Sequence, residues 1–142
     1  MGHYEILDEI AIADCALQIE GRDLADVFET AARALAEIMA DPSTVQVTVQ
    51  RSIVLQAETL DLLLHDWLSE IIFHKDRDAE VYPQATVSIS GDGPFHLAAT
   101  VAGGRLDPAH VQLRADPKAV TFYQLGVERA PTGWRARVVI DI

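Results

Sequence analysis

Two stretches of the chain carry apolar residues at the spacing of an amphipathic helix. The clearer one covers residues 60–72, where the apolar positions follow the i, i+3, i+4, i+7 repeat of one helix face. These positions are Leu60, Leu63, Leu64, Trp67, Leu68, Ile71 and Ile72. The other covers residues 24–39, after Asp23, a residue type that caps helix N-termini, and before Asp41-Pro42, which ends the helix. Both stripes predict helices that bury one face against a core.

Alternation of apolar and polar residues predicts strands in most of the remaining chain. The predicted strands cover residues 15–20, 45–57, 80–82, 84–90, 95–101, 120–129 and 134–141. The turns at Gly91-Asp92-Gly93-Pro94 and Pro131-Thr132-Gly133 predict that the strands on either side of each form a hairpin. The sequence therefore predicts one α+β domain over residues 1–142, with two main helices packed on a mostly antiparallel sheet.

The charge balance narrows the classes of partner. The chain has a formal net charge of −11, from 22 acidic and 11 basic residues, and it has no run of Lys or Arg. Direct binding to nucleic acid through phosphate neutralisation is disfavoured, because the overall field repels a polyanion. A basic protein partner or a bound cation fits better, and simple solubility is the alternative.

The sequence carries no signal that directs it to a membrane. No apolar stretch approaches the ~20 residues that a membrane span needs, and the first residues lack the basic and apolar regions of a signal peptide. We therefore expect a cytoplasmic protein without a membrane partner.

Residues that commonly perform catalysis are sparse. The five histidines are scattered, and none forms a spaced pair on a helix face. His65 lies on the polar face of the second helix, where a solvated side chain is expected. Cys15 lies on the apolar face of a strand, which predicts a buried thiol rather than a nucleophile. The set of residues that could perform catalysis is therefore thin for an enzyme.

Carboxylates are the remaining candidates for chemistry. The last predicted strand ends at Asp141-Ile142, where the Asp side chain and the α-carboxylate of Ile142 offer hard oxygen donors for a divalent cation. Asp14 is out of phase with the apolar positions of its strand, so its side chain leaves the core face. If that strand pairs with the last one, Asp14 and Asp141 can converge on one cation. Solvated strand carboxylates are the alternative.

The order of the elements, together with several short strings, resembles the archease family almost from end to end. The strings are Tyr4-Glu-Ile-Leu-Asp8, Ala13-Asp14, Phe28-Glu-Thr-Ala-Ala-Arg-Ala-Leu35, Asp66-Trp-Leu-Ser-Glu70, Gly104-Arg-Leu-Asp-Pro-Ala-His110, Lys118-Ala-Val-Thr121 and Val139-Ile140-Asp141-Ile142.

This resemblance implies an accessory protein of an RtcB-type RNA ligase, which seals RNA ends in tRNA splicing and RNA repair. Such a protein promotes guanylylation of the ligase and keeps it turning over. The resemblance also implies a bound divalent cation, Ca²⁺ in preference to Mg²⁺, with ligands that fall on Asp14, Asp141 and Ile142. His110 and Lys118 match family positions and are the expected contacts to the ligase.

Two positions depart from the family pattern. Ala11-Ile-Ala-Asp14 stands where the family has His-Thr-Ala-Asp, and Phe122-Tyr123 stands where it has Tyr-His, so two histidines are replaced by Ala11 and Tyr123. The chain therefore resembles a divergent member of the family. A chaperone-like or scaffolding module with a structural metal is the second hypothesis, and a metal-dependent hydrolase that activates water on the Asp14–Asp141 cation is the third.

Overall fold

The structure is a computed structural model that describes residues 2–7 and 14–142 of the chain. In chain order its elements are β1 (His3–Leu7), β2 (Asp14–Gly21), α1 (Leu24–Met39), a 3-10 turn (Pro42–Thr44), β3 (Val49–Ala57), α2 (Leu60–Asp78), β4 (Glu80–Ser90), β5 (Phe95–Arg105), β6 (Ala119–Val120), β7 (Gly126–Ala130) and β8 (Gly133–Asp141). Neither helix in this part of the chain is both long enough and apolar enough to cross a membrane.

The strands form two antiparallel sheets rather than one. One sheet has the order β1-β2-β8-β6, with β7 also paired to β8, and the other has the order β3-β5-β4. The predicted α+β class is confirmed, with two main helices and antiparallel pairing throughout. The expectation of a single sheet is wrong, because alternation along a strand shows which side chains are buried but not which strand lies beside it.

Several predicted boundaries also differ. β1 has no counterpart among the predicted strands, β4 is continuous over Glu80–Ser90, and β5 continues past residue 101 to Arg105. The third strand starts at Val49 rather than at residue 45. The second helix continues past Ile72 to Asp78. The predicted strand over residues 120–129 is divided into β6 and β7 by a turn in which the Leu125 N–H donates to the Phe122 carbonyl.

One apolar core unites the helices and both sheets. The predicted helix stripes lie in or against this core, except for Leu60, and the indole N–H of Trp67 in α2 donates to the Phe28 carbonyl of α1 over 2.9 Å. The predicted cap of α1 is confirmed, since the Asp23 carboxylate accepts from the Asp26 N–H over 2.8 Å.

The central strands of the five-stranded sheet have one face in this core. On β2 and β8 the core residues are Cys15, Leu17, Ile19, Ala136, Val138 and Ile140. Because successive side chains of a strand point to opposite faces, Asp14, Gln18, Arg137 and Asp141 all lie on the other face. We call this the outer face; it carries the candidate site.

Candidate functional site

The last pair of the β2–β8 ladder places two carboxylates opposite each other. β2 and β8 are antiparallel, and Asp14 is the direct cross-strand partner of Asp141. Directly opposed residues lie on one face with their Cβ atoms about 5 Å apart. The structure therefore brings together the two aspartates that the sequence pattern could only allow to meet.

No cation of the described chain compensates this pair. Neither carboxylate forms an ion pair or a side-chain hydrogen bond with any described residue. Like charges directly opposed on a sheet are destabilising. In the described ranges no group of three or more His, Cys, Asp or Glu side chains is arranged to hold a metal, so a cation here would need a main-chain or water ligand besides the two carboxylates.

Ile142 follows the pair directly. Its side chain is half-buried and packs against the core, which orders the chain immediately after Asp141. Burial of this side chain leaves the main chain of residue 142 next to the carboxylate pair. The position is compatible with the predicted ligand role, which stays a prediction.

Lys118 lies beside the same strand end. Its main-chain N–H donates to the Asp141 carbonyl over 2.7 Å, and its side chain is exposed. The loop that leads to it is fixed by Lys75 of α2, whose buried ammonium donates to the Pro117 carbonyl over 2.5 Å and also to the Asp116 carboxylate. Burial acts to lower the pKa of Lys75, but the hydrogen bonds and negative charges of Asp116 and Asp76 together outweigh it, and the pKa is raised.

His110 is placed elsewhere. Its ring lies 2.7 Å from an Asp107 oxygen, is largely exposed, and lines a shallow cavity with Thr44 and Gln46. None of the described contacts joins it to Asp14, Asp141 or Lys118. Of the predicted partner contacts, the structure thus groups Lys118, but not His110, with the aspartate pair.

An aromatic feature that the sequence did not predict lies close to Lys118 in the chain. The ring of Phe122 stacks on His65 of α2 with 4.3 Å between centroids and 12° between planes. His65 is only 20% exposed and also contacts Asp66 at 3.1 Å, so the expectation of a solvated histidine is wrong. Phe122 and Tyr123 remain 64% and 58% exposed. A pair of exposed neighbouring aromatics is a signal that the sequence does contain.

The two departures from the family pattern have different outcomes. Tyr123 is one of these exposed aromatics, whereas Ala11 lies outside the described residues, as do Asp8 and Ala13. The expected burial of Cys15 is confirmed.

Taken together, the structure is that of a small two-helix α+β protein with opposed carboxylates at a strand end, and the described residues contain no group of three or more His, Cys, Asp or Glu side chains that could hold a metal ion. Comparison with known proteins gives the family. The Archease protein family (MTH1598/TM1083) matches residues 4–142, and the chain belongs to this family.

Curated relatives and solved structures agree with this assignment. The chain is 33% identical to protein archease of Methanosarcina barkeri, over 98% of this chain and 95% of that one. It is also 33% identical to protein archease of Methanothermobacter thermautotrophicus, over the whole of both chains.

Two solved structures share the fold. The solution structure of Methanobacterium thermoautotrophicum protein 1598 superposes with a TM-score of 0.79 at 32% identity, over 98% of each chain. A Thermotoga maritima protein described as an archease and possible chaperone superposes with a TM-score of 0.65 at 19% identity, over 97% of this chain and 98% of that one, which shows the fold alone.

Proposed function

We propose that this protein is an accessory factor that activates an RtcB-type RNA ligase in tRNA splicing or RNA repair. In this role it promotes guanylylation of the ligase and does not itself catalyse a reaction. Membership of the archease family supports the proposal, and so does the net charge of −11, which suits docking against a basic enzyme that handles RNA.

The observation that carries the proposal is the opposed pair of Asp14 and Asp141. Two carboxylates about 5 Å apart at Cβ that no described cation compensates cost stability, and a bound cation would remove that cost. We propose that they hold a divalent cation together with the main-chain carboxylate of Ile142. These donors are all anionic oxygens, which fit Ca²⁺ better than the softer zinc.

The proposed contact surface lies around this cation. Lys118 adds one exposed positive charge beside the strand end, and Phe122 and Tyr123 add exposed aromatic area four and five residues further on. Aromatic residues are enriched in protein interfaces and among the residues that contribute most to binding. His110, which lies apart from this group, is proposed as a separate contact.

The deciding experiment measures covalent guanylylation of a purified RtcB-type ligase with GTP and a divalent cation. We expect substoichiometric amounts of this protein to accelerate adduct formation over several ligase turnovers. Stimulation that requires a stoichiometric amount would contradict the proposed activation of successive turnovers, and no stimulation would contradict the function.

Variants test which residues carry the activity. We expect Asp14→Ala and Lys118→Ala to reduce the guanylylation rate at unchanged thermal stability. Arg129→Ala is the matched control for Lys118→Ala, because it removes an exposed cation at the β7–β8 hairpin, away from the proposed surface. Equal loss in Lys118→Ala and Arg129→Ala would indicate a general effect of charge and remove Lys118 from the contact.

The cation is tested separately by calorimetric titration with Ca²⁺ and Mg²⁺. Binding should be lost in Asp14→Asn and in Asp141→Asn. Two residues added after Ile142 would displace its carboxylate while keeping every side chain, so they should weaken binding and leave folding largely intact. Unchanged affinity in the extended protein would exclude Ile142 as a ligand.

A chaperone-like role is the second candidate function. The description of the Thermotoga maritima protein as a possible chaperone favours it, together with the exposed Phe122 and Tyr123. Suppression of aggregation of unrelated unfolded clients, lost in a Phe122→Ser/Tyr123→Ser double variant and without any effect on the ligase, would favour this role over the first.

A further inference from the structure

The outer face of the five-stranded sheet holds a cavity of about 580 Å³ beside β7, away from the aspartate pair. Its lining includes Gln18, Asp61, Gln124, Gly126, Arg135 and Arg137. Arg137 is four residues from Asp141 along β8, a separation of ~13 Å in a strand. The cavity is therefore a separate feature from the proposed cation site.

Two arginines in this cavity have different cross-strand neighbours. Arg135 lies between Glu20 on β2 and Glu128 on β7, and its Nε lies 3.5 Å from a Glu128 oxygen. Arg137, two residues on, lies between Gln18 and Gly126 in the same two strands. Arg135 thus has carboxylates on both sides, whereas Arg137 has none.

Arg137 also differs from the other basic residues of the chain. Of the 11 Lys and Arg residues, eight have a carboxylate, a carbonyl or an aromatic ring as a side-chain partner among the described residues. Arg105, Lys118 and Arg137 have no such partner there. Arg105 and Lys118 are exposed, so water solvates them, but Arg137 is partly buried.

The burial of Arg137 includes its donor atom. Its Nε, like that of Arg135, is inaccessible to solvent and makes no hydrogen bond in the described structure, but Arg135 has Glu128 as an ion-pair partner and Arg137 has none. A buried donor left without an acceptor destabilises the fold, and such a group in a native protein is commonly satisfied by a bound water or ion. The guanidinium fork matches the paired oxygens of a carboxylate or phosphate, which are its strongest acceptors.

The remaining lining suits the body of a small polar molecule. A volume of about 580 Å³ falls within the ~300–1,000 Å³ typical of small-molecule sites. The amides of Gln18 and Gln124 offer donors and acceptors. Neither lining carboxylate is paired with Arg137 in the described structure, since Glu128 pairs with Arg135 and Asp61 accepts from the Val127 N–H over 2.8 Å. They therefore leave Arg137 available to an anion.

We propose that this cavity binds a small polar molecule that carries a phosphate or carboxylate group, with that oxyanion on Arg137. The donor arrangement is the same for the two groups, so the experiment has one arm for each. Inorganic phosphate and acetate are the probes, each titrated at constant ionic strength into the ¹⁵N-labelled protein. The Nε–H signal of Arg137, assigned by its loss in Arg137→Gln, reports binding directly.

Two variants of the cavity and one matched control make the test specific. Gly126→Leu places a side chain in the space, because a Cβ added at Gly126 meets no atom within 4 Å and the backbone there does not have a left-handed φ. Arg137→Gln removes the guanidinium group. Arg105→Gln is the matched control, because it removes an exposed arginine of the same charge that has no described side-chain partner. A second readout is the rise in thermal midpoint that a bound ligand produces.

We expect a saturable shift of the Arg137 signal with at least one probe, and the probe that saturates at the lower concentration identifies the group. In Arg137→Gln the same rise in thermal midpoint should need about tenfold more probe, because one charge-assisted contact is lost. The rise should also be smaller in Gly126→Leu. In Arg105→Gln it should equal that of the wild type. No saturable shift with either probe, or an equal response in Gly126→Leu and the wild type, would overturn the proposal.

Discussion

The protein contains two charge clusters, one in which opposite charges are paired and one in which two like charges face each other. One joins β3 to β4, where Arg51 Nε donates to Glu80 over 2.6 Å, Arg51 Nη2 donates to Asp78 over 2.9 Å, and the Tyr82 hydroxyl donates to Glu80 over 2.5 Å. The other is the Asp14–Asp141 pair, where two like charges face each other. In the first cluster every charge has an opposite charge as its partner, and in the second none of the described cations provides one.

The Arg51 cluster contributes to the stability of the fold, whereas the Asp14–Asp141 pair is the site of the proposed function. In the Arg51 cluster the hydrogen bond from Arg51 lowers the pKa of Glu80, and the hydrogen bond from Arg77 lowers that of Asp78. Burial, followed by the bond to Glu80, raises the pKa of Tyr82. Such shifts mean that the fold favours the charged carboxylates. No described residue gives the aspartate pair a comparable partner, and the proposed cation would supply one.

The largest effect on stability is expected from Glu80→Gln, which removes one charge from the Arg51 cluster. The side chain of Glu80 is 5% exposed, and its neutral replacement leaves Arg51 with Asp78 alone. Breaking a fully buried pair costs about 3–5 kcal/mol, but Arg51 reaches solvent and keeps one partner, so we expect a loss of about 2 kcal/mol. Urea denaturation measures it.

Glu58→Gln is the matched control, because Glu58 is exposed and has no described partner. We expect its stability to stay within about 0.5 kcal/mol of the wild type. A similar loss in both variants would show that overall charge, rather than the Arg51 cluster, determines the result.

Acid should reduce the stability that the Arg51 cluster contributes. Glu80 has a folded-state pKa below its usual value of 4.5, so the stability that it contributes is complete above that value and is lost as the pH falls through the lower folded pKa. Glu80→Gln should therefore lose less stability than the wild type between neutral pH and the acid range. Parallel pH profiles of the free energy of unfolding would contradict this assignment.

A smaller effect is expected at Lys75, which links α2 to the loop before Lys118. Lys75→Met keeps most of the buried volume but removes the donor to the Pro117 carbonyl. Asp116 is 73% exposed and can be solvated, so the loss should be about 1 kcal/mol, the contribution of one hydrogen bond. Hydrogen exchange of the Lys118 amide should become faster, whereas the exposed Lys118→Met should leave it unchanged. Unaltered exchange in Lys75→Met would show that the loop is held by other contacts.

Local patterns predicted the parts of the fold that depend on local geometry. The seven apolar positions of α2 lie on one helix face because the helical repeat fixes them, whatever surrounds the helix. The end of α2 at Asp78 was missed, because His74 and Lys75 are polar yet buried. Their partners, Tyr82 and Asp116 among them, come from other elements, and the sequence does not show that they are close.

The candidate site could likewise be predicted only as far as local alternation allows. Period-2 alternation assigned Asp14 to the face away from the core, but only the observed register of β2 on β8 sets it opposite Asp141. Arg135 and Arg137 are equivalent by alternation, and they differ because β7 places Glu128 beside one and Gly126 beside the other. Cross-strand neighbours depend on which strands pair and in what register, so the pattern of a single strand does not predict them.

The smallest effect, with the opposite sign, is expected from Asp14→Asn in a chelator. Asparagine keeps the size of the side chain and removes one of the two opposed charges, so the metal-free protein should gain about 0.5 kcal/mol of stability. Added Ca²⁺ should then stabilise the wild type and leave the variant unchanged, because ligand binding to the folded state raises stability by mass action. Glu58→Gln, which removes one charge from an exposed site, again serves as the control. If Asp14→Asn is less stable than the wild type in the chelator, the carboxylate has a favourable partner within the chain, and the contrast between the two clusters is wrong.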